Sequence, residues 1–189
     1  ENEKEKVNNI LAHMSRTIED FRDFFVSTDT LKQISIKDLV EKPFNLIGDS
    51  FKSYDSICLF EYNISEDTTI KTYPNKFDQV ILNIYKNSLD EYKDNDIKGI
   101  SKVYLTDDKY NFIIEISDNA GGISTKILSK IFEPYFSTKS KNGTGIGLHM
   151  SKTIIEKQLL GSIDCINIVD NNTDEKGVKF TISLPKNMG

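Results

Sequence analysis

Two asparagines, Asn83 and Asn87, stand four residues apart in a stretch whose other positions include Val80, Ile81, Ile84 and Leu89. On a helix that spacing projects both side chains from one face. A carboxamide offers an oxygen to a hard cation and N–H groups to a phosphate, without adding charge. Taken alone, the pair reads as ordinary polar residues on a solvated face. A second group is Asp118, Asn119, Ala120, Gly121, Gly122 and Ile123, directly after the apolar run 112–117. An acid at a strand end can accept from an exocyclic amino group, and glycines let the backbone approach a flat ligand. A plain turn explains the same residues equally well. A third is Gly143, Thr144, Gly145, Ile146, Gly147 and Leu148, behind the basic Lys139 and Lys141. Free N–H groups at a helix start favour phosphate. The segment lacks the Lys-Ser/Thr ending of a P-loop, and it does not follow a strand as a dinucleotide fingerprint does. Between the second and third groups lie Phe132, Pro134, Tyr135, Phe136, Ser137, Thr138 and Lys139. Their plainest use is to anchor a loop.

The elements that must position these groups can be read from periodicity. Residues 36–53 have a helical pattern, opened by a possible capping box from Ser35 to Asp38. Pro43 inside it predicts a kink or a late start. Strands are expected at Ile57 to Tyr62 and Ile70 to Tyr73. Pro74 suits the first turn of a helix running to about Tyr92, with Phe77, Val80, Ile81, Ile84 and Leu89 available for a core. Strands follow near 100–106 and 110–117, then short helical and loop segments over 124–142, a helix from about Gly145 to Leu159, and strands near 162–169 and 177–184. Helices on one face of a mixed sheet satisfy that order, giving an α+β fold as a two-layer α/β sandwich. Ahead of this unit, Val7, Leu11, Met14, Ile18, Phe21 and Phe25 recur every three or four residues, a seam that needs a partner helix. The expected organisation is a long N-terminal helix over 1–27, a linker over 28–35 and a domain over 36–189.

The 189 residues are 38% hydrophobic, enough for one substantial core. The formal charge of -5 argues against general affinity for nucleic acid or an anionic membrane. Cys58 and Cys165 lie apart, without a CxxC pair, and read as buried thiols. No apolar run approaches the roughly 20 residues of a membrane span. The first residue is Glu1, and the expectation is a fragment of something longer.

The order and spacing of the four groups are more specific than any one of them. The stretch 79–148 resembles the N, G1, F and G2 boxes of the ATP-binding domain of sensor histidine kinases, within the wider superfamily of gyrase-like, chaperone-like and mismatch-repair-like ATPases. The resemblance extends over about residues 35–186. It implies the Bergerat, or histidine-kinase ATPase-like, fold, and ATP and Mg²⁺ as cofactors. It also implies roles. Asn87 would hold the Mg²⁺ bridging the phosphates, with Asn83 one turn earlier. Asp118 would accept from the adenine amino group, with Gly122 and Ile123 beside it and Thr181 supporting the pocket. Gly143, Gly145, Gly147 and Leu148 would shape the lid and its junction with the next helix. Thr138, Lys139 and Thr144 would reach phosphates. Ala120 departs from the Asp-x-Gly-x-Gly form of the family's G1 box, which matters only if residue 120 needs positive φ.

A further comparison bears on the reaction. Hydrolytic members of the superfamily carry a water-activating glutamate four residues before the metal-binding asparagine. Asn83 stands there instead, as in histidine kinases, and a carboxamide is no general base at neutral pH. The resemblance therefore implies γ-phosphate transfer to a protein histidine, relayed to a response regulator. The segment Ile18 to Phe25 is similar to the second helix of the dimerisation and phosphotransfer stem. His13 is followed by Met14, Ser15 and Arg16 rather than by an acid, so it reads as structural, as does His149. The acceptor, on the same or a partner subunit, is expected outside this chain, with a homodimer and a cytoplasmic location for the full-length protein. No nucleic-acid or membrane contact is expected of the fragment itself. Alternatives are a GHKL-type ATPase, opposed by Asn83, an anti-sigma-factor-type serine kinase, which would lack the stem helix, and a degenerate binding module, opposed by the complete set of Asn87, Asp118 and glycines.

Overall fold

The computed structural model describes residues 7, 11, 30–138, 144–170 and 174–187. The stem helix expected over 1–27 therefore lies outside the described residues, apart from Val7 and Leu11, which are helical and exposed. Lys139, Lys141 and Gly143 also lie outside them.

The chain order is β1 (Lys32–Ser35), α1 (Ile36–Ser53), β2 (Ile57–Tyr62), β3 (Thr69–Thr72), α2 (Pro74–Asp94), β4 (Ile100–Asp107), β5 (Asn111–Ser117), α3 (Thr125–Leu128), α4 (Gly147–Thr153), β6 (Ser162–Val169) and β7 (Lys176–Pro185). The five-stranded sheet runs β2-β4-β5-β7-β6, with β2 parallel to β4 and the other pairs antiparallel. β1 and β3 form a separate antiparallel pair.

The two long helices, α1 and α2, each bury the stripe their sequence dictates. In α1 the buried positions are Ile36, Leu39, Val40, Pro43, Ile47 and Phe51. Pro43 neither delays nor ends this helix. An interior proline costs about 3 kcal/mol, and here its ring lies on the buried face, where packing offsets the loss. The capping box is not formed, because Ser35 makes no side-chain cap. Ser35 is instead paired with Thr69, and the first helical amide, Ile36 N–H, donates to the Thr68 carbonyl at 3.1 Å. Residues 32–35, read from sequence as linker, are thus a strand docked on the start of α1.

Pro74 occupies the first turn of α2, as its fixed φ favours. The buried face of α2 carries Phe77, Val80, Ile81, Ile84, Tyr85, Ser88 and Tyr92. It meets α1 through edge-to-face aromatics, Phe44 with Tyr85 at 5.5 Å and Phe51 with Tyr92 at 6.1 Å between ring centres. The other layer is the inner face of the sheet, including Leu105, Ile114, Ile116, Phe180 and Ile182. Helix α4 continues into a π-helical turn, Ile154–Gln158, closed by Leu159 N–H on the Ile154 carbonyl at 2.9 Å. The extra residue keeps Ile154, Ile155 and Leu159 all in the core. Cys58 and Cys165 are free thiols, and burial pushes both up to about 12. Among the described residues no helix is long and apolar enough to cross a membrane.

Candidate functional site

A cavity of about 610 Å³ opens between α2, α4, the segment after β5 and the inner face of β7. Helix α2 contributes Asn83, Lys86 and Asn87 to its wall. The turn after β5 contributes Asp118, Gly122 and Ile123. The segment before α4 contributes Thr138, Thr144 and Gly145, and α4 contributes Gly147 and Leu148. Three stretches separated in sequence thus converge on one space, because α2 and α4 pack side by side over the end of β5.

The convergence has a tight contact at its centre. Asn83 Nδ2 donates to Ser151 Oγ at 3.0 Å, and Ser151 Oγ donates to the Gly147 carbonyl at 3.1 Å. A Cβ on Gly147 would stand 2.3 Å from Asn83 Oδ1. The absence of a side chain there lets α4 seat directly on the Asn83 amide. Asn87, one turn further, is half-buried in the same wall.

Asp118 is 8% exposed at the end of β5. Burial pushes its carboxyl above the usual range, opposed by hydrogen bonds from the Ala120 N–H at 3.1 Å, the Ser88 hydroxyl at 2.9 Å and the Val178 N–H at 3.2 Å, which favour the ionised form. The result is a pre-placed acceptor in a largely apolar recess floored by Ile123, Val178 and Phe180. Such a group can receive an amino N–H from a flat ligand. Positive φ falls on Gly121 (91°) and Gly122 (83°), not on Ala120, so alanine fits at 120 without strain.

Thr181 is the residue that the fold removes from the site. Phe180 and Ile182 point into the core, so the pleat turns Thr181 outward, where it is paired in register with Glu115 and Asp164. The cavity-facing residues of β7 are Val178 and Phe180. Their alternation with the polar Lys179, Thr181 and Ser183 was visible in the sequence and gives the correct phase. Ser88 and Gly177 also touch Asp118, and neither stands out as a site residue in the sequence. A Cβ on Gly177 would fall 1.7 Å from the Asp118 carbonyl, so β7 can pass Asp118 only as glycine. His149 Nδ1 donates to the Phe132 carbonyl at 3.0 Å, fixing α4 to the aromatic segment as a structural histidine.

Among the described residues no group of three or more His, Cys, Asp and Glu could hold a metal by itself. Mg²⁺ keeps several waters and usually takes one or two protein ligands plus substrate phosphates. A single half-buried carboxamide such as Asn87 fits that mode.

The family described as histidine kinase-, DNA gyrase B- and HSP90-like ATPase matches residues 72–188. Sporulation kinase A of Bacillus subtilis is 37% identical over 112 residues, 59% of this chain and 17% of the relative. Sensor histidine kinase ZraS of Salmonella typhimurium is 33% identical over 157 residues, 82% of this chain and 31% of the relative. The chain spans less than a third of either relative. Among solved structures, the nucleotide-free catalytic domain of histidine kinase ThkA superposes with a TM-score of 0.72 at 23% identity, covering 83% of this chain and 96% of that one. ThkA in complex with the response regulator protein TrrA gives 0.69 at 21% identity, over 99% of this chain and 52% of that one. With the fold, the cavity and the family match in agreement, the chain belongs to the histidine kinase-, DNA gyrase B- and HSP90-like ATPases.

Proposed function

We propose that the chain is the ATP-binding catalytic domain of a two-component sensor histidine kinase. It donates the γ-phosphate of ATP to a stem histidine outside this chain, for relay to a response regulator. Asp118 accepts from the adenine amino group, with Gly122 and Ile123 against the ring. Asn87 offers its amide oxygen to Mg²⁺. Thr138, Lys139 and Thr144 approach the phosphates, and Gly143, Gly145, Gly147 and Leu148 form the lid junction. When bound, Mg²⁺ supplies charge neutralisation between the phosphates. The protein's own part is positioning, which suits phosphoryl transfer, where little covalent chemistry falls to the enzyme.

The observation that carries transfer over hydrolysis is the state of Asn83. At the place where a hydrolytic relative would present a carboxylate to water, this chain has a carboxamide already donating to Ser151. Neither histidine recommends itself as acceptor: His13 lacks an adjacent acid, and His149 is held by the Phe132 carbonyl. The stem histidine belongs to the same or a partner subunit of a homodimer, in the cytoplasmic part of the parent sensor.

The test is incubation with γ-labelled ATP and Mg²⁺. The chain alone should acquire no acid-labile phosphate and should release inorganic phosphate slowly. The chain joined to a stem that carries the acceptor should form phosphohistidine. Acid-labile label on His13, or rapid hydrolysis by the chain alone, contradicts the proposal. The latter would point to Asp90 or Glu91, which border the same cavity.

A further inference from the structure

Strand β6 is an edge strand, and Ile163, Cys165 and the exposed Asn167 alternate along one of its faces. The first two are buried. At Asn167 the apolar series ends, and the side chain reaches the segment after β5. Ile123 N–H donates to Asn167 Oδ1 at 2.7 Å, and Asn167 Nδ2 donates to the Ile123 carbonyl at 2.6 Å. One side-chain amide therefore satisfies both backbone groups of one residue, as a neighbouring strand would.

The residue so held is the one that follows Gly121 and Gly122. Glycine has the most conformational freedom to lose, so a double-glycine turn is loose unless something fixes it. Gly121 N–H is held by the Lys176 carbonyl at 2.8 Å. Beyond that, the back of the turn faces a second hollow of about 400 Å³, bordered by Gly121 to Thr125 and by Asn167 to Val169. The turn is a thin wall between two spaces, since Gly122 and Ile123 border both. The Asn167 amide, on the border of that hollow, grips the turn through Ile123.

We propose that Asn167 is a positioning residue for nucleotide binding. Its carboxamide fixes the Ile123 backbone, so that the glycine turn stands ready against the base before the ligand arrives. Ordering that would otherwise be taken from binding energy is completed in the empty protein. This rests on the nucleotide reading above.

The experiment is calorimetric titration of adenosine, and of ADP with and without Mg²⁺, into the wild-type chain, Asn167→Ala and Asn167→Asp. Ile166→Ala, exposed on the opposite face of the same strand, serves as control. Removing both hydrogen bonds should weaken adenosine and ADP by the same factor, about fivefold or more, and leave the enhancement by Mg²⁺ unchanged. Asn167→Asp keeps the shape and the acceptor but loses the donor, so it should also bind more weakly than wild type. Hydrogen exchange at the Ile123 amide should accelerate in Asn167→Ala without ligand. A wild-type chain that binds ADP while both variants bind within about twofold of it overturns the role of Asn167 alone. A wild-type chain that binds neither ligand overturns the nucleotide reading and this inference with it. Loss confined to ADP, with adenosine unaffected, also contradicts the inference, because it would place the effect on the phosphates.

Discussion

The hydroxyl of Ser88 donates to Asp118 Oδ2 at 2.9 Å. Ser88 follows Asn87, so one helical turn joins the residue proposed for the metal to the one proposed for the base. The bond also opposes the burial that raises the Asp118 carboxyl. Ser88→Ala should cost about 0.5–1.5 kcal/mol of ADP affinity. It should also raise the Asp118 pKa further. Only the ionised carboxyl is a pure acceptor, so affinity should fall on acidification, and in Ser88→Ala that fall should begin at a higher pH than in wild type. Calorimetry over a pH series decides this, and superimposable profiles would contradict it.

A carboxylate with a raised folded-state pKa weakens the fold above its unfolded pKa. The penalty disappears as pH falls and the group takes up its proton. Asp118→Asn removes that penalty. The empty variant should melt at a higher temperature than wild type at neutral pH, and the difference should shrink on acidification toward the carboxyl range. Nucleotide binding should be lost, because the amide presents a donor where an acceptor is needed. Differential scanning calorimetry at several pH values checks the sign. A lower midpoint for the variant at neutral pH would mean that the three hydrogen bonds outweigh desolvation.

In an open helix, Gly→Ala gains about 0.5–1 kcal/mol. At Gly147 the new methyl would meet Asn83 Oδ1 at 2.3 Å. Gly147→Ala should therefore destabilise, by about 1–3 kcal/mol for overpacking, and should weaken nucleotide binding by shifting α4 away from α2. Denaturant melts and ADP titrations measure both. A stabilised variant with wild-type affinity would show that Asn83 simply rotates aside.

The elements legible in the sequence are those with short-range causes. The stripe from Phe77 to Tyr92 marked α2, and Pro74 marked its start. The alternation 178, 180, 182 marked β7 and, correctly phased, excludes Thr181 from the pocket. Strand β1 escaped because four residues, Lys32 to Ser35, carry no alternation of their own and become a strand only against β3. Ser88 and Asn167 escaped for a related reason. Their partners lie 30 and 44 residues away, and neither residue stands out in its own segment. The glycine boxes showed that a ligand is approached closely, while the hydrogen bonds that hold those boxes still came from the fold alone.

The proposed function requires that Asn87, Asp118 and the start of α4 serve a single nucleotide. ADP should be titrated, with and without Mg²⁺, into wild type, Asn87→Ala and Asp118→Ala under one set of conditions. Asp118→Ala should abolish binding in both states, and Asn87→Ala should remove only the part of the affinity that Mg²⁺ adds. ADP binding by Asp118→Ala at wild-type strength, or a full Mg²⁺ enhancement in Asn87→Ala, would show that the cavity holds its ligand some other way.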